Sequence, residues 1–469
     1  MNKLSKGISI KKNIILSLGV QVISLMVSFI LNLIVPKFIP ELQYSYWQAY
    51  VLYASYVGIL HFGLLDGIVL RYSQYDYDQL DKPRIRSQFK ILLAIISCFS
   101  VISVLLTFLF IKGNYRYIFL LVALGIITKN IFTYTSYTFQ ITNRIDKYAV
   151  LVISQRVFYG IITVILLAVK VDFFAFFCLS DLGGDIFGCI VGYFYNKDLY
   201  LGKSIPFRDA FKEFKENISS GVLLLVANWS SMLLVGSAKM IVQWHWDELT
   251  FGKVSFSFSI SSLFLTFVTA ISVVLFPSLK RMEKDKLPEM YQKIRNAVSP
   301  VLFTCMLFFF PGCYVLDRWL PKYHNSLVYL GILLPIIIYT SKVSLLTNNY
   351  LKAYRKEGKM FAINTISVVI AFALFGISAY IIDNLTVLLV MIVIVIMLRS
   401  VASEIVVMKL IKISMYKDFI IEMLMTIIFI ICSKFFSLSL GFVLYFVFLF
   451  IYLFYYRDNL KTYLVKFAK

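Results

Sequence analysis

Lys129, Arg156, Asp181, Asp185, Lys342 and Arg399 stand inside stretches that are otherwise apolar and long enough to cross a membrane. A charge at that depth is expensive, so such residues face protein or water, pair with one another, or mark the path of an ion or substrate. Asp181 and Asp185, in SDLGGDIFG, are four apart and share one helical face. Two carboxylates so placed disfavour ionising together, which suits a proton-binding step. The plainer alternative is that Lys129 and Arg156 neutralise them, and the glycines between them, Gly183 and Gly184, are expected to loosen the helix. At about 1.5 Å per residue, Lys129 lies roughly 18 Å from the outer end of its run and Arg156 roughly 12 Å from the inner end of its own, both near the midplane. Arg399 and Glu404 are five apart, roughly 140° around a helix, and should not pair with each other.

A second group lies in HFGLLDGIVLRYSQ, residues 61–74. Asp66 and Arg71 are also separated by roughly 140°, so Asp66 is expected to find a partner on another helix, Arg144 or Lys147, with Gly67 allowing close approach. Such a contact would gate the inner mouth of a transport path. A buried structural ion pair is the plainer alternative.

The elements that must position these residues are membrane helices. Of the 469 residues 60% are hydrophobic and 17% aromatic, mean hydropathy is +0.82, and a soluble domain is about half apolar. Fourteen segments approach the roughly 20 residues a crossing needs: 14–36, 46–70, 90–111, 117–141, 148–169, 173–195, 218–241, 249–277, 297–316, 326–351, 360–382, 385–408, 418–433 and 436–456. The start, MNKLSKGISIKKN, leads into the first of them without a small-residue cleavage site, so that helix is expected to stay as an anchor.

With the N-terminus inside, the inner connections and tails hold 33 Lys and Arg and the outer ones seven. That asymmetry places both termini in the cytoplasm and accounts for the net charge of +21 without nucleic acid. Lys239 and Lys253, near outer span ends, are expected to snorkel, and Trp244 and Trp246 to sit in an outer aromatic belt. The six cysteines lie in or beside apolar runs without metal-ligand spacing, and no cofactor is indicated.

Phe207, Phe211 and Phe214 recur at helical spacing among charges, so residues 197–217 are expected to form a cytoplasmic linker with a short amphipathic helix. The organisation is then an N-terminal lobe, 1–196, the linker, a C-terminal lobe, 218–416, and two further helices with a basic tail, 417–469. FQITNRIDKYAVLVI from Phe139 and LKAYRKEGKMFAINTI from Leu351 repeat the order of helix end, basic turn and new helix about 212 residues apart, as in transporters built from two repeated halves.

The opening helix running into IVPKFIPELQYSYWQAY, the LLDGIVLR of residues 64–71, the QITNRIDKYAV of residues 140–150 and the twelve-plus-two spans resemble the polysaccharide transporter family. These are the O-antigen and lipid-linked oligosaccharide flippases of the multidrug/oligosaccharidyl-lipid/polysaccharide exporter superfamily. The chain departs from that pattern at Glu41 to Tyr44, where a small glycine is usual. The resemblance implies an all-α fold with two six-helix lobes around a central cavity and two helices outside. It implies movement of undecaprenyl-diphosphate-linked oligosaccharide across a bacterial plasma membrane by alternating access, for surface polysaccharide such as lipopolysaccharide. A polymerase and glycosyltransferases of the same pathway would be its partners.

An anionic cargo needs fixed positive charge at membrane depth, for which Lys129, Arg156, Lys342 and Arg399 are the candidates, with Tyr134 and Tyr137 for sugar or phosphate. Asp181 and Asp185 would carry a coupling ion, and Asp66, Arg71, Arg144 and Lys147 the gate. Two other functions compete: a drug or metabolite cation antiporter, and an integral-membrane glycan polymerase or ligase. With three scattered histidines, no Walker A and no HExxH, the chain is not expected to be an enzyme.

Overall fold

The computed structural model describes residues 3–281 and 284–457, with side chains at 16–265 and 285–457. The described residues are helical nearly throughout and contain no strand, as backbone polar groups in hydrocarbon require. The helices are α1 (Lys3–Phe29), α2 (Val35–Phe38), α3 (Glu41–Ala54), α4 (Leu64–Tyr72), α5 (Lys82–Phe110), α6 (Asn114–Ile141), α7 (Ile145–Ala168), α8 (Phe174–Tyr200), α9 (Phe207–His245) and α10 (Glu248–Arg281). They continue as α11 (Leu287–Leu307), α12 (Phe309–Trp319), α13 (His324–Leu333), α14 (Ile336–Lys342), α15 (Asn348–Ala353), α16 (Glu357–Gly376), α17 (Leu385–Ile411), α18 (Tyr416–Phe435) and α19 (Leu438–Tyr455).

Among the described residues ten helical stretches are long and apolar enough to cross a membrane, and two bent pairs bring the number to twelve. The expected count of about fourteen is not reached by that measure. Lys417, Asp418 and Glu422 in its first two turns, with Lys434 near its end, make α18 too polar, and most side chains of the second half of α10 lie outside the described residues.

Two expected single spans are broken. Residues 46–70 divide into α3, a 3-10 turn at Val57–His61, and α4, with a bend of 58°. Phe62 and Gly63, both at positive φ, make the break, a conformation easy only for glycine. Residues 326–351 bend by 45° between Pro321–Leu333 and Ile336–Ala353, where Pro335 removes a backbone donor. Residues 197–217 do not form a separate linker helix either. They comprise the last turn of α8, a short connection and the first three turns of α9, a continuous helix of 39 residues. Phe207, Phe211 and Phe214 stack along one side of that start, with ring centroids 6.0 and 5.9 Å apart.

The chain forms two compact units, Met1–Trp229 and Ser230–Lys469. In the first, α8 packs against α6 and α7, and α7 against α1. In the second, α13 packs on α10, α16 pairs with α17, and α18 with α19.

Candidate functional site

In the first unit, α6 and α8 pack closely enough to bring three of the candidate residues together. Lys129 Nζ lies 2.7 Å from Asp181 Oδ2 and 2.9 Å from Asp185 Oδ2. Tyr50, from α3, donates its hydroxyl to Asp181 Oδ2 at 3.0 Å, and Gln155, from α7, donates Nε2 to Asp185 Oδ1 at 3.2 Å. Neither Tyr50 nor Gln155 was singled out by spacing, because each comes from a helix distant in sequence. Four helices therefore meet on one cation and two carboxylates, a set that carries one negative charge when all are ionised. Gly184 does not loosen α8, which stays helical there. It lets α7 approach, since a Cβ at Gly184 would lie 2.9 Å from the carbonyl oxygen of Gln155. Arg156 makes no ion pair with these acids, and its Nε is buried without a hydrogen-bond partner.

The tyrosines differ in placement. Tyr134 is fully buried, packed on Phe89 and Tyr200, and its hydroxyl donates to the Leu199 carbonyl at 3.3 Å. Its ring is therefore not presented to a ligand in this conformation. Tyr137 is half-buried, and Asp66 and Tyr148 lie within its electrostatic reach.

The expected contact of Asp66 with Arg144 or Lys147 does not form. Arg144 donates to the Tyr195 carbonyl at 3.2 Å and to Asn196 Oδ1, and its guanidinium lies 3.7 Å from the centroid of the Tyr77 ring. Burial lowers Arg144 from its ordinary value, though a guanidinium keeps its charge. Lys147 faces Asp146 at 3.6 Å and the Tyr195 ring. Asp66 instead faces His61, 3.9 Å away. The break before α4 turns it there, which a count along an unbroken helix could not anticipate.

Arg71 does anchor an interhelical contact, but on the first turns of α9. It binds Glu213 Oε1 at 2.5 Å, Asn217 Oδ1 at 2.7 Å and Glu216 Oε2 at 2.8 Å, and Tyr72 donates to Glu213 at 2.6 Å. Above this cluster the backbones of α4 and α9 touch: a methyl on Gly67 would overlap the Asn217 carbonyl, and one on Gly221 would overlap Gly63 and Gly67. Gly67→Ala is accordingly expected to lower thermal stability by more than Arg71→Ala does. Partly exposed pairs contribute up to about 1 kcal/mol, whereas backbone overlap forces the helices apart. Thermal unfolding of the two purified variants checks the order.

In the second unit, Lys342 is fully buried and meets Glu404 Oε1 and Glu422 Oε2, the latter at 2.5 Å. Arg295 closes the network: Nε lies 2.7 Å from Glu404, and its terminal nitrogens lie 3.2 Å from Asp418 and 3.2 Å from Glu422. Ser299 donates to Glu422 at 2.8 Å. The network thus ties α18 to α11, α14 and α17, and leaves Lys342 without access to a ligand in this conformation. Arg295 and Glu422 were missed because each sits near a helix start among ordinary loop charges.

Arg399 is separate. It is buried, donates Nε to Asn364 Oδ1 at 2.9 Å and a terminal nitrogen to Ser231 Oγ at 2.7 Å. It has no carboxylate within ion-pair distance among the described residues. As expected from their spacing, Arg399 and Glu404 do not pair.

Residues 85–315, just under half of the chain, match the family model described as polysaccharide biosynthesis protein. No curated protein matches the sequence. Similar solved structures include the lipid II flippase MurJ in an inward closed conformation, with TM-score 0.66 and 12% identity over 95% of this chain and 99% of that one. A multidrug resistance MATE family transporter of the MOP superfamily, inward-facing, gives 0.64 and 13% over 84% and 98%. MATE in the straight conformation gives 0.58 and 12% over 86% and 96%. These relatives are transporters and flippases rather than enzymes. The chain is a multi-pass membrane protein with the helical fold shared by MurJ and the MATE transporters, and residues 85–315 match the polysaccharide biosynthesis protein family model.

Proposed function

We propose that the protein is a flippase that moves an undecaprenyl-diphosphate-linked oligosaccharide across a bacterial plasma membrane by alternating access, with both termini in the cytoplasm. The observation that carries this reading is the guanidinium of Arg399, buried, bonded to the neutral Asn364 and Ser231, and with no carboxylate within ion-pair distance among the described residues. A buried charge without a counter-ion is costly, and an anionic group such as a diphosphate offsets that cost by bidentate hydrogen bonding. Arg156, half-buried and with its Nε lacking a hydrogen-bond partner, provides a second candidate cation in the other unit. Lys129 and Lys342 are set aside for carboxylates and leave the list of direct cargo contacts. The Lys129, Asp181 and Asp185 cluster, with its surplus negative charge, is the candidate for coupling to an ion gradient.

The buried guanidinium of Arg399, with no carboxylate within ion-pair distance among the described residues, favours an anionic cargo over the organic cation that an antiporter of the same fold would carry. In proteoliposomes with a fluorescent polyprenyl-diphosphate saccharide, Arg399→Ala and Arg156→Ala are each expected to lower flipping at least about tenfold, the loss of one charged hydrogen bond to a desolvated anion. Full flipping in both variants, or transport of organic cations in place of the lipid, would reject the reading. In cells the protein would then act between the glycosyltransferases that build the oligosaccharide and the polymerase that extends it.

A further inference from the structure

The break between α3 and α4 holds two titratable side chains that neither the cargo nor the ion-coupling reading uses. His61 closes the 3-10 turn and Asp66 lies in the first turn of α4. They are 6% and 5% exposed. His61 Nε2 stands 3.9 Å from Asp66 Oδ2, about an ångström too far for a hydrogen bond, and Asp66 Oδ2 is buried with no partner. The other ring nitrogen is engaged: Gly63 N donates to His61 Nδ1 at 3.1 Å. Because Nδ1 accepts, the proton of the neutral imidazole sits on Nε2, pointed at the carboxylate.

Among the described residues no lysine or arginine pairs with Asp66. Around the pair stand Tyr137 and Asn130 of α6, the latter holding the Val57 carbonyl at 3.1 Å, and Asn217 of α9 against Gly67. Phe99 of α5 packs on Phe62 beside them. None of these is charged. Arg71, farther along α4, is committed to Glu213 and Glu216.

We propose that His61 and Asp66 form a binding site for one proton, and that its occupancy is transmitted to the break in the helix. A proton from water adds to His61 Nδ1, giving an imidazolium whose Nε2–H faces the Asp66 carboxylate, so the buried carboxylate gains the counter-ion it lacks. The same event turns Nδ1 from acceptor to donor, so it can no longer hold the Gly63 amide. Gly63, at φ +85, is one of the two positive-φ residues that make the break. Losing that hydrogen bond frees the joint on which α4 turns, and with it the crossing of α4 on α9. Deprotonation restores the amide bond and the bend.

This site is independent of the cargo and of Asp181 and Asp185, and the test is built to be so. The full chain, labelled with nitrogen-15 at histidine and glycine, is reconstituted and titrated by nuclear magnetic resonance between about pH 3 and 8, a range wide enough to take in a buried histidine. There are three histidines, and His61→Gln removes one ring signal and so assigns it. The ring of His61 is expected to pass from neutral to imidazolium within that range, and the Gly63 amide to shift with the same inflection. In Asp66→Asn the His61 inflection is expected to fall by at least about one pH unit, since the counter-ion is gone. A His61 ring that stays neutral throughout overturns the proposal. So does an inflection that Asp66→Asn leaves unmoved, or a Gly63 amide indifferent to it. Flipping activity enters none of these readouts, so a failed flippase assay leaves the result intact.

Discussion

Lys342→Ala is expected to be among the most destabilising single substitutions in the chain, costing about 3–5 kcal/mol, because removing one partner of a buried ion pair strands the other. Here it strands more than one. Glu404 and Glu422, both buried, would share Arg295 alone, with Asp418 beside them. The loss should appear as a much lower unfolding temperature in detergent, with α18 loosening first because Glu422 and Asp418 carry its ion pairs to α11 and α14. Combining Lys342→Met with Glu404→Gln and Glu422→Gln is expected to recover most of the stability, since an apolar or neutral replacement of a complete buried network is often neutral. A triple variant as unstable as Lys342→Ala would mean that the network is held for shape rather than charge.

Lys129→Met is expected to give the second largest effect, and one of a different kind. Asp181 and Asp185 would then stand within a few ångströms of each other with only Tyr50 and Gln155 as donors. The stability cost should be smaller than at Lys342 because Lys129 is about a quarter exposed, and exposure screens charge. The functional cost should be larger: the cluster would fill with protons in place of the lysine, and transport should fall at least about tenfold and lose its response to an imposed pH gradient. Asp181→Asn with Asp185→Asn beside Lys129→Met should restore the unfolding temperature but not the gradient response. Restoration of both would make the cluster a structural clamp and no more.

The two lysines also occupy matching places. Lys129 lies on α6 and reaches α8; Lys342 ends α14 and reaches α17. Their separation repeats, to within a residue or so, the 212-residue spacing of the two basic turns. The repeat seen faintly in the loops is thus carried more clearly by buried chemistry, a lysine of one helix answering acids on later helices of its own unit.

What could be foreseen followed from local physics. Apolar length places the helices, and the four-residue spacing of Asp181 and Asp185 puts both within reach of Lys129. The failures also have local causes. A periodic count assumes an unbroken helix, so the break at Phe62 and Gly63 redirected Asp66 from Arg144 to His61. Arg295 looked like one more basic residue of an inner loop, because its acids lie 109 and 127 residues farther on in the chain and nothing nearby hints at them. Tyr134 looked available because hydroxyls near a membrane boundary usually are, yet the carbonyl of Leu199 already accepts its hydrogen bond. Gly67 was recognised as a point of close approach, though the chain that approaches is α9.

That crossing of α4 on α9 is made by main chain against main chain, with glycine on both sides. Side chains that interlock must give up rotamer freedom each time they meet, up to about 2 kcal/mol for the long ones. Bare backbones forfeit none. Contact between them is also short in range, fading within about an ångström of separation. A joint of this kind closes without an entropic toll, opens without a viscous drag of disentangling side chains, and has little stable ground between. It suits a joint that opens and closes repeatedly, as the proposed alternating access would require.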